Sequence, residues 1–212
     1  MTNYNLYITG MFRSGTTFLS RLLDSHYQVA ISSDTLLHFF KNIRYEVKKG
    51  KDLIKNQERF LDNYFYDLDE IKTLEHIESF DSKKILKEHV WKFLIEYLEE
   101  NYRKYSNKLI GTLKGSKPNN YKKAIQLLFN LIAKNYGDEN TKIVGIKEVW
   151  GIEFIPFLIK NLRYPKIIVI IRDPRAVYTS KQNTKNKYPI YFICNQWRKI
   201  FALAHYYKNK FD

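Results

Sequence analysis

A glycine-bounded turn near the amino terminus constrains the fold of this chain more than any other stretch. It reads Gly10-Met11-Phe12-Arg13-Ser14-Gly15-Thr16-Thr17. The turn joins an apolar run, Leu6 to Ile8, to an amphipathic run, Phe18 to Leu23, which predicts a strand, a loop and a helix. In such an arrangement the loop N–H groups and the positive end of the helix point at one spot, which suits a phosphate or another tetrahedral oxyanion.

The spacing of Gly10 and Gly15 is that of a nucleotide-triphosphate loop, G-x-x-x-x-G-K-[ST], with Thr17 at the metal-binding hydroxyl position. Thr16 stands where the lysine that reaches the β- and γ-phosphates belongs, which weighs against an ordinary ATPase, GTPase or kinase. The cation of this loop is Arg13, whose planar fork suits an oxyanion. Taken alone, the loop also allows a strand–helix turn that holds no ligand.

A second segment lies far along the chain. Lys166 to Ile171 is a continuous apolar, β-branched run, which predicts a parallel strand buried on both faces. It leads into Arg172-Asp173-Pro174, in which Asp173 suits a helix N-cap and Pro174 the first turn.

The remaining pattern alternates strands and helices. Strands are predicted at 29–31 and 142–146, helices around 124–132 and 193–204, and a loop at 111–120. We therefore expect an α/β fold, a single domain over 1–212 with a parallel sheet covered by helices on both sides, and a charged helical insertion over about 34–106 that covers the active site or serves only as helical packing.

Composition excludes some classes of protein. The 36 Lys and Arg against 22 Asp and Glu give a net charge of +14, which favours anionic partners. The single cysteine, Cys194, is expected as a buried helical thiol, and the five histidines lack metal-ligand spacing. No apolar run approaches the roughly 20 residues that span a bilayer, and the first residues lack a secretion signal, so a cytoplasmic protein without a membrane span is expected.

The loop and the helix after it resemble a known family. Arg13 to Leu19, together with Leu23-Asp24-Ser25-His26, is similar to the 5′-phosphosulfate loop of sulfotransferases that use 3′-phosphoadenosine-5′-phosphosulfate, most closely in the branch of tyrosylprotein and many bacterial sulfotransferases. Arg172, with Ser180 eight residues later, is similar to the family's 3′-phosphate motif.

The resemblance implies a P-loop-like fold, this donor, adenosine 3′,5′-bisphosphate as product and no required metal. It assigns two groups of residues to the donor. Those at the sulfate end are Arg13, Ser14, Gly15, Thr16, Thr17 and Phe18, and those at the 3′-phosphate are Arg172 and Ser180.

Sulfuryl transfer needs cations near the leaving oxygen and a base for the acceptor hydroxyl or amine. Arg13 and Lys147 are the candidate cations, since Lys147 follows a predicted strand and matches a lysine of the family; the alternative is a surface lysine that neutralises Glu148. Asp34 matches the family's base by its offset from Arg13, although it is an aspartate in place of a glutamate, and a helix N-cap is its alternative role.

Other bases stay open, namely Glu148, His38 and His89, and Trp197 resembles a tryptophan that follows the 3′-phosphate motif and is expected in the core. Family members usually continue into a further strand and a basic loop, whereas this chain stops at Asp212. The resemblance therefore predicts an incomplete adenosine site and an open sheet edge that a second copy can cover, so a homodimer is expected.

The acceptor is left open among a glycan, a tyrosine peptide and a small alcohol. Two other functions compete with sulfuryl transfer. One is a P-loop kinase or other nucleotide-binding enzyme, which needs a lysine from elsewhere and Mg²⁺. The other is a basic nucleic-acid-binding module, which the charge suggests and no recognition motif supports, so no nucleic acid is expected.

Overall fold

The sheet has four parallel strands in the order β2-β3-β1-β4. The computed structural model describes residues 4–49, 70–184 and 187–211. The strands are β1 (Tyr4–Gly10), β2 (Val29–Ser33), β3 (Ile143–Lys147) and β4 (Pro165–Ile170).

Helices separate and flank the strands, so the predicted α/β class with a parallel sheet is confirmed. They are α1 (Thr16–Asp24), α2 (Leu37–Lys49), α3 (Glu70–Glu78), α4 (Glu88–Lys114), α5 (Tyr121–Tyr136), α6 (Ile155–Asn161), α7 (Pro174–Gln182) and α8 (Ile190–Phe211), with a 3-10 turn at Ile152–Phe154.

The two faces of the central strand, β1, belong to different apolar clusters. Leu6 and Ile8 face α1 and form a small cluster with Ile31. Tyr7 faces the opposite side, where a larger core includes Val144 and extends into the helices. Side chains alternate across a strand, so a run that is apolar at every position is required to fill both layers.

The last strand differs from its prediction. Within the described residues β4 lies at the edge of the sheet, with β1 as its one strand neighbour. Its side chains are half-buried or exposed, and Ile171 just beyond it is 43% exposed. The prediction of burial on both faces was therefore wrong, because an apolar run shows that a strand is suited to burial and not how many elements cover it.

Helix α4 passes through Gly111 to Lys114, so the loop predicted at 111–120 begins only at Gly115. Leu109, Ile110 and Leu113 are buried in the core, and this burial outweighs the weak helix propensity of glycine. Phe93 of α4 is 58% exposed. Residues 50–69 of the predicted insertion lie outside the described residues.

Cys194 is on a helix, as expected, but it is exposed, so the expectation of a buried thiol was wrong. Over 4–49, 70–184 and 187–211 no helix is both long enough and apolar enough to cross a membrane. The same described ranges contain no group of His, Cys, Asp and Glu side chains arranged to hold a metal ion.

Candidate active site

The candidate residues gather at one edge of the sheet because all four strands run in the same direction. Lys147 at the end of β3 is in register with Ser33 of β2 and Ile8 of β1, while Gly10 is in register with Ile170 of β4. The residues that follow these strand ends therefore meet at the carboxyl edge, where open α/β sheets bind their ligands.

Each glycine of the loop has its own structural reason. Gly10 has φ 153°, and a Cβ there would lie 2.5 Å from the carbonyl oxygen of Ile170. Only glycine therefore fits at position 10, where the loop leaves β1. Gly15 is the N-cap of α1 with φ 99°, a left-handed conformation. No atom lies within 4 Å of the place where its Cβ would stand, so the space beside the helix start is open.

At the start of α1, backbone amides are more available to a ligand than the hydroxyl groups of the loop. No side chain caps it, and the first amides of a helix have no acceptor within the helix. The Ser14 hydroxyl donates to the Met11 carbonyl at 2.5 Å, and the Thr16 side chain is buried, so both shape the loop. Thr17 and Phe18 are exposed at the surface of the first turn.

The two distant segments touch through Arg13. Its Nε donates to Ser180 Oγ at 2.9 Å, and Arg172 Nη1 donates to the Arg13 carbonyl at 2.9 Å. Arg13 has φ 60°, an uncommon conformation for a residue with a side chain. Asp173 caps α7 by accepting from Arg175 N, and Pro174 is in the first turn, so the prediction of this helix start is confirmed.

Two residues near this contact, Trp197 and Lys181, have roles that the sequence did not predict. Trp197 is half-buried, and its indole Nε1 donates to the Arg172 carbonyl at 2.9 Å, so it holds the backbone of Arg172 in addition to packing. Lys181 lies beside Arg13, and burial, followed by the charge of Arg13, lowers the pKa of its ammonium group. Its Nζ lies 4.3 Å from the centre of the Tyr188 ring, a cation–π contact.

Asp34 and Lys147 form an ion pair, with 2.5 Å between Lys147 Nζ and Asp34 Oδ2. The Lys147 side chain is 3% exposed and that of Asp34 is 29% exposed, so the carboxylate is the partner that solvent and ligands can reach. Asp34 N also donates to the Lys147 carbonyl at 2.8 Å, and Asp34 has φ 58°. The alternative of a surface lysine paired with Glu148 is therefore wrong.

Glu148 takes the capping role that was the alternative for Asp34. Its Oε2 accepts from Leu36 N at 3.0 Å, immediately before α2 begins at Leu37. Burial, followed by the charge of Asp34, raises the pKa of the Glu148 carboxyl well above its usual range, although Lys147 opposes this. Because Glu148 is completely buried, it is placed to hold the start of α2 and is badly placed to touch an acceptor.

The two histidines lie on different helices. His38 is the second residue of α2, half-buried against the Tyr97 ring, and burial lowers its pKa to about 4. His89 is exposed near the start of α4. A neutral His38 can accept a proton only if a ligand or water reaches its ring.

The site suits a ligand with an anion at each of two positions. Open space and uncapped amides at the start of α1 provide one position, Arg172 and Ser180 provide the other, and Arg13 of the loop contacts Ser180. Anions bind to guanidinium forks and to helix amides for the same electrostatic reason.

Comparison with known proteins bears on the same residues. A family model described as "Sulfotransferase family" matches residues 5–209, which is nearly the whole chain. No curated protein matches the chain.

Proposed function

The chain belongs to the sulfotransferase family, and from this premise we propose that it transfers a sulfuryl group from 3′-phosphoadenosine-5′-phosphosulfate to the hydroxyl or amine of an acceptor. The observation that carries the proposal is the contact of Arg13 Nε with Ser180 Oγ, 2.9 Å, which joins the two motifs assigned to the two ends of the donor.

The loop and the 3′-phosphate motif divide the work of holding the donor. The amides at Gly15, Thr16 and Thr17 suit the 5′-phosphosulfate, because no side chain caps the start of α1 and the space beside Gly15 is open. Arg172 and Ser180 suit the 3′-phosphate, with Arg172 held through Trp197. When bound, the donor supplies the sulfuryl group, whose bond to the 5′-phosphate oxygen breaks as the acceptor bond forms.

Two cations serve the leaving group. Arg13 is at the loop, and Lys147 is buried at the end of β3 where water competes little for its charge. A cation in such a place stabilises negative charge better than an exposed one does, because the surroundings are less polar.

Asp34 is the proposed base. Its carboxylate is the exposed member of the ion pair with Lys147, so it can accept the proton of an acceptor hydroxyl while Lys147 keeps it oriented. Once protonated, the Asp34 side chain is neutral. The positive charge of Lys147 is then left to balance the charge on the departing phosphate.

The test is direct titration of the whole chain with adenosine 3′,5′-bisphosphate and, separately, with ATP and Mg²⁺, followed by transfer of labelled sulfate from the donor. We expect metal-independent binding of the bisphosphate. Tighter, metal-dependent binding of ATP would support a P-loop kinase, and steeply salt-dependent RNA binding that survives joint loss of Arg13 and Arg172 would support a nucleic-acid module.

A further inference from the structure

Glu148 is completely buried beside the candidate active site, yet the proposed reaction gives it no part. It directly follows Lys147, the last residue of β3. Its Oε2 accepts from Leu36 N at 3.0 Å, while its Oε1 has no hydrogen-bond partner in the described part of the chain. Burial of a carboxyl group is unfavourable unless its contacts compensate, and this hydrogen bond goes to the segment that carries Asp34.

Lys147 and Glu148 hold the segment between β2 and α2 at three points. The Lys147 carbonyl accepts from Asp34 N at 2.8 Å, and Lys147 Nζ lies 2.5 Å from Asp34 Oδ2. Glu148 binds the amide of Leu36, two residues further along the segment. Asp34 has φ 58°, an uncommon conformation for a residue with a side chain, so the contacts on both sides of it have to maintain this geometry.

Glu148 does not compete with Asp34 for the charge of Lys147. Within the described residues Lys147 forms an ion pair with Asp34 and none with Glu148, its neighbour in the chain. Burial, followed by the charge of Asp34, raises the pKa of the Glu148 carboxyl, and an uncharged Glu148 leaves Lys147 to Asp34. Two other titratable groups interact with Glu148 through its charge, namely Lys41 of α2 and Tyr7 of β1.

Resting on the proposed sulfuryl transfer, we infer that Glu148 is a positioning residue of the reaction, which keeps the Asp34 carboxylate on Lys147 through its hydrogen bond to Leu36 N. Glu148 itself touches neither donor nor acceptor. The oxygen at the end of its side chain does this work as a hydrogen-bond acceptor, and its charge is not needed. Because a displacement of about 1 Å in a reacting group can cost on the order of a hundredfold in rate, the effect falls on kcat.

Three substitutions of Glu148 separate these properties. Glu148→Gln keeps the length and the carbonyl acceptor without the charge, Glu148→Leu removes the acceptor at similar size, and Glu148→Asp keeps the carboxyl group but is one methylene shorter. We expect Glu148→Gln, the conservative variant, to retain kcat within about threefold, and the other two to lose about ten- to a hundredfold. The affinity for adenosine 3′,5′-bisphosphate should be the same in all three.

The rates are measured with labelled donor and the acceptor that the unchanged protein uses among a tyrosine peptide, a disaccharide and a small alcohol. Calorimetry measures bisphosphate affinity, and melting curves give a temperature at which every variant is folded. Loss of kcat with unchanged bisphosphate affinity at that temperature indicates a positioning role, which a purely structural role would not produce.

Two comparisons test whether Glu148 acts through Asp34. Glu148→Leu should lower kcat no further once Asp34→Asn is present, since the base is already lost. In urea denaturation, Asp34→Ala should reduce the free energy of unfolding less in the Glu148→Leu protein than in the unchanged one, because the pair with Lys147 is already disturbed. Asn120→Ala is the control, since it removes a comparable capping bond, from Lys123 N at the start of α5, and should leave kcat and both comparisons the same.

The results separate this inference from the proposed function. Equal loss of kcat in Glu148→Gln and Glu148→Leu, an unchanged kcat in Glu148→Leu, or independent effects of Glu148 and Asp34 would overturn the positioning role while transfer itself stands. Absence of transfer by the unchanged protein overturns the donor assignment. The urea comparison then decides whether Glu148 holds Asp34 on Lys147, since it requires no activity.

Discussion

Arg13 Nε donates a hydrogen bond to Ser180 Oγ at 2.9 Å, although 167 residues separate the two in the sequence. Arg172 makes a second contact with the same loop by donating to the Arg13 carbonyl. The loop after β1 and the segment after β4 are therefore in direct contact, because β1 and β4 are neighbours that end at the same edge of the sheet.

Loss of either arginine should weaken binding of adenosine 3′,5′-bisphosphate. We expect Arg13→Ala and Arg172→Ala each to raise Kd by about ten- to a hundredfold, the range for a charged hydrogen bond. Because Arg172 holds the Arg13 backbone through its carbonyl, the two changes are coupled, and the double variant should lose less than the sum. Titration calorimetry measures this, with Arg163→Ala as control, an arginine before the opposite end of β4. A Kd unchanged within twofold in both single variants would contradict the assignment.

Asp34→Asn should separate binding from turnover. The amide cannot take the acceptor proton, so we expect kcat to fall by about 10²- to 10⁴-fold, while the affinity for the bisphosphate stays the same. Asp138→Asn, in the turn before β3 at the amino edge, is the control and should keep normal kcat. If Asp34→Asn turns over at the normal rate, the base lies elsewhere, and His38 becomes the next residue to test.

The Asp34–Lys147 pair should also matter for stability. Asp34→Ala leaves the Lys147 ammonium buried without its carboxylate, so we expect the free energy of unfolding to fall by about 1–3 kcal/mol, less than for a fully buried pair because Asp34 is 29% exposed. Adding Lys147→Met should restore much of this loss but no activity. Urea denaturation measures the free energy of unfolding of both variants and of the unchanged protein. A double variant less stable than Asp34→Ala would show that Lys147 has another partner.

Features set by neighbouring residues could be predicted from the sequence. The strand–loop–helix unit around Gly15 and the Asp173–Pro174 start of α7 follow local backbone preferences, and the structure confirms them. The α/β class followed from the apolar strands in the same way.

Features that depend on distant partners could not be predicted in this way. Glu148, not Asp34, caps α2, because β3 brings it beside Leu36 across 112 residues. The partial burial of β4 depends on its place at the edge of the sheet and on which elements cover it. The exposure of Cys194 depends on which face of α8 meets the core. In each case the residue type was compatible with both outcomes.

Glu148 should make stability depend on pH. Its pKa is raised in the folded protein above the usual value near 4.5, so the folded state binds more protons than the unfolded state above that pH. Its contribution is fully present below pH 4.5 and is lost as pH rises through the folded pKa. Glu148→Gln mimics the neutral acid and should flatten the decline in unfolding free energy from pH 5 upward. An unchanged slope in urea denaturation across this range would show that Glu148 is ionised when folded.

Gly15 offers a test of whether the open space at the start of α1 is where the donor binds. A Cβ at Gly15 meets no protein atom within 4 Å, but φ 99° strains any other residue, so Gly15→Ala should cost about 1–2 kcal/mol of stability.

Gly111→Ala is the matched control, because Gly111 lies within helix α4, also with nothing within 4 Å, and should gain about 0.5–1 kcal/mol. The added methyl of Gly15→Ala occupies the space beside the helix amides, so bisphosphate affinity should fall at temperatures where the variant is fully folded. Calorimetry on both variants at such a temperature measures this. If Gly15→Ala keeps normal affinity while its melting temperature drops, the phosphosulfate lies away from Gly15, and only Arg13, Arg172 and Ser180 remain as donor contacts.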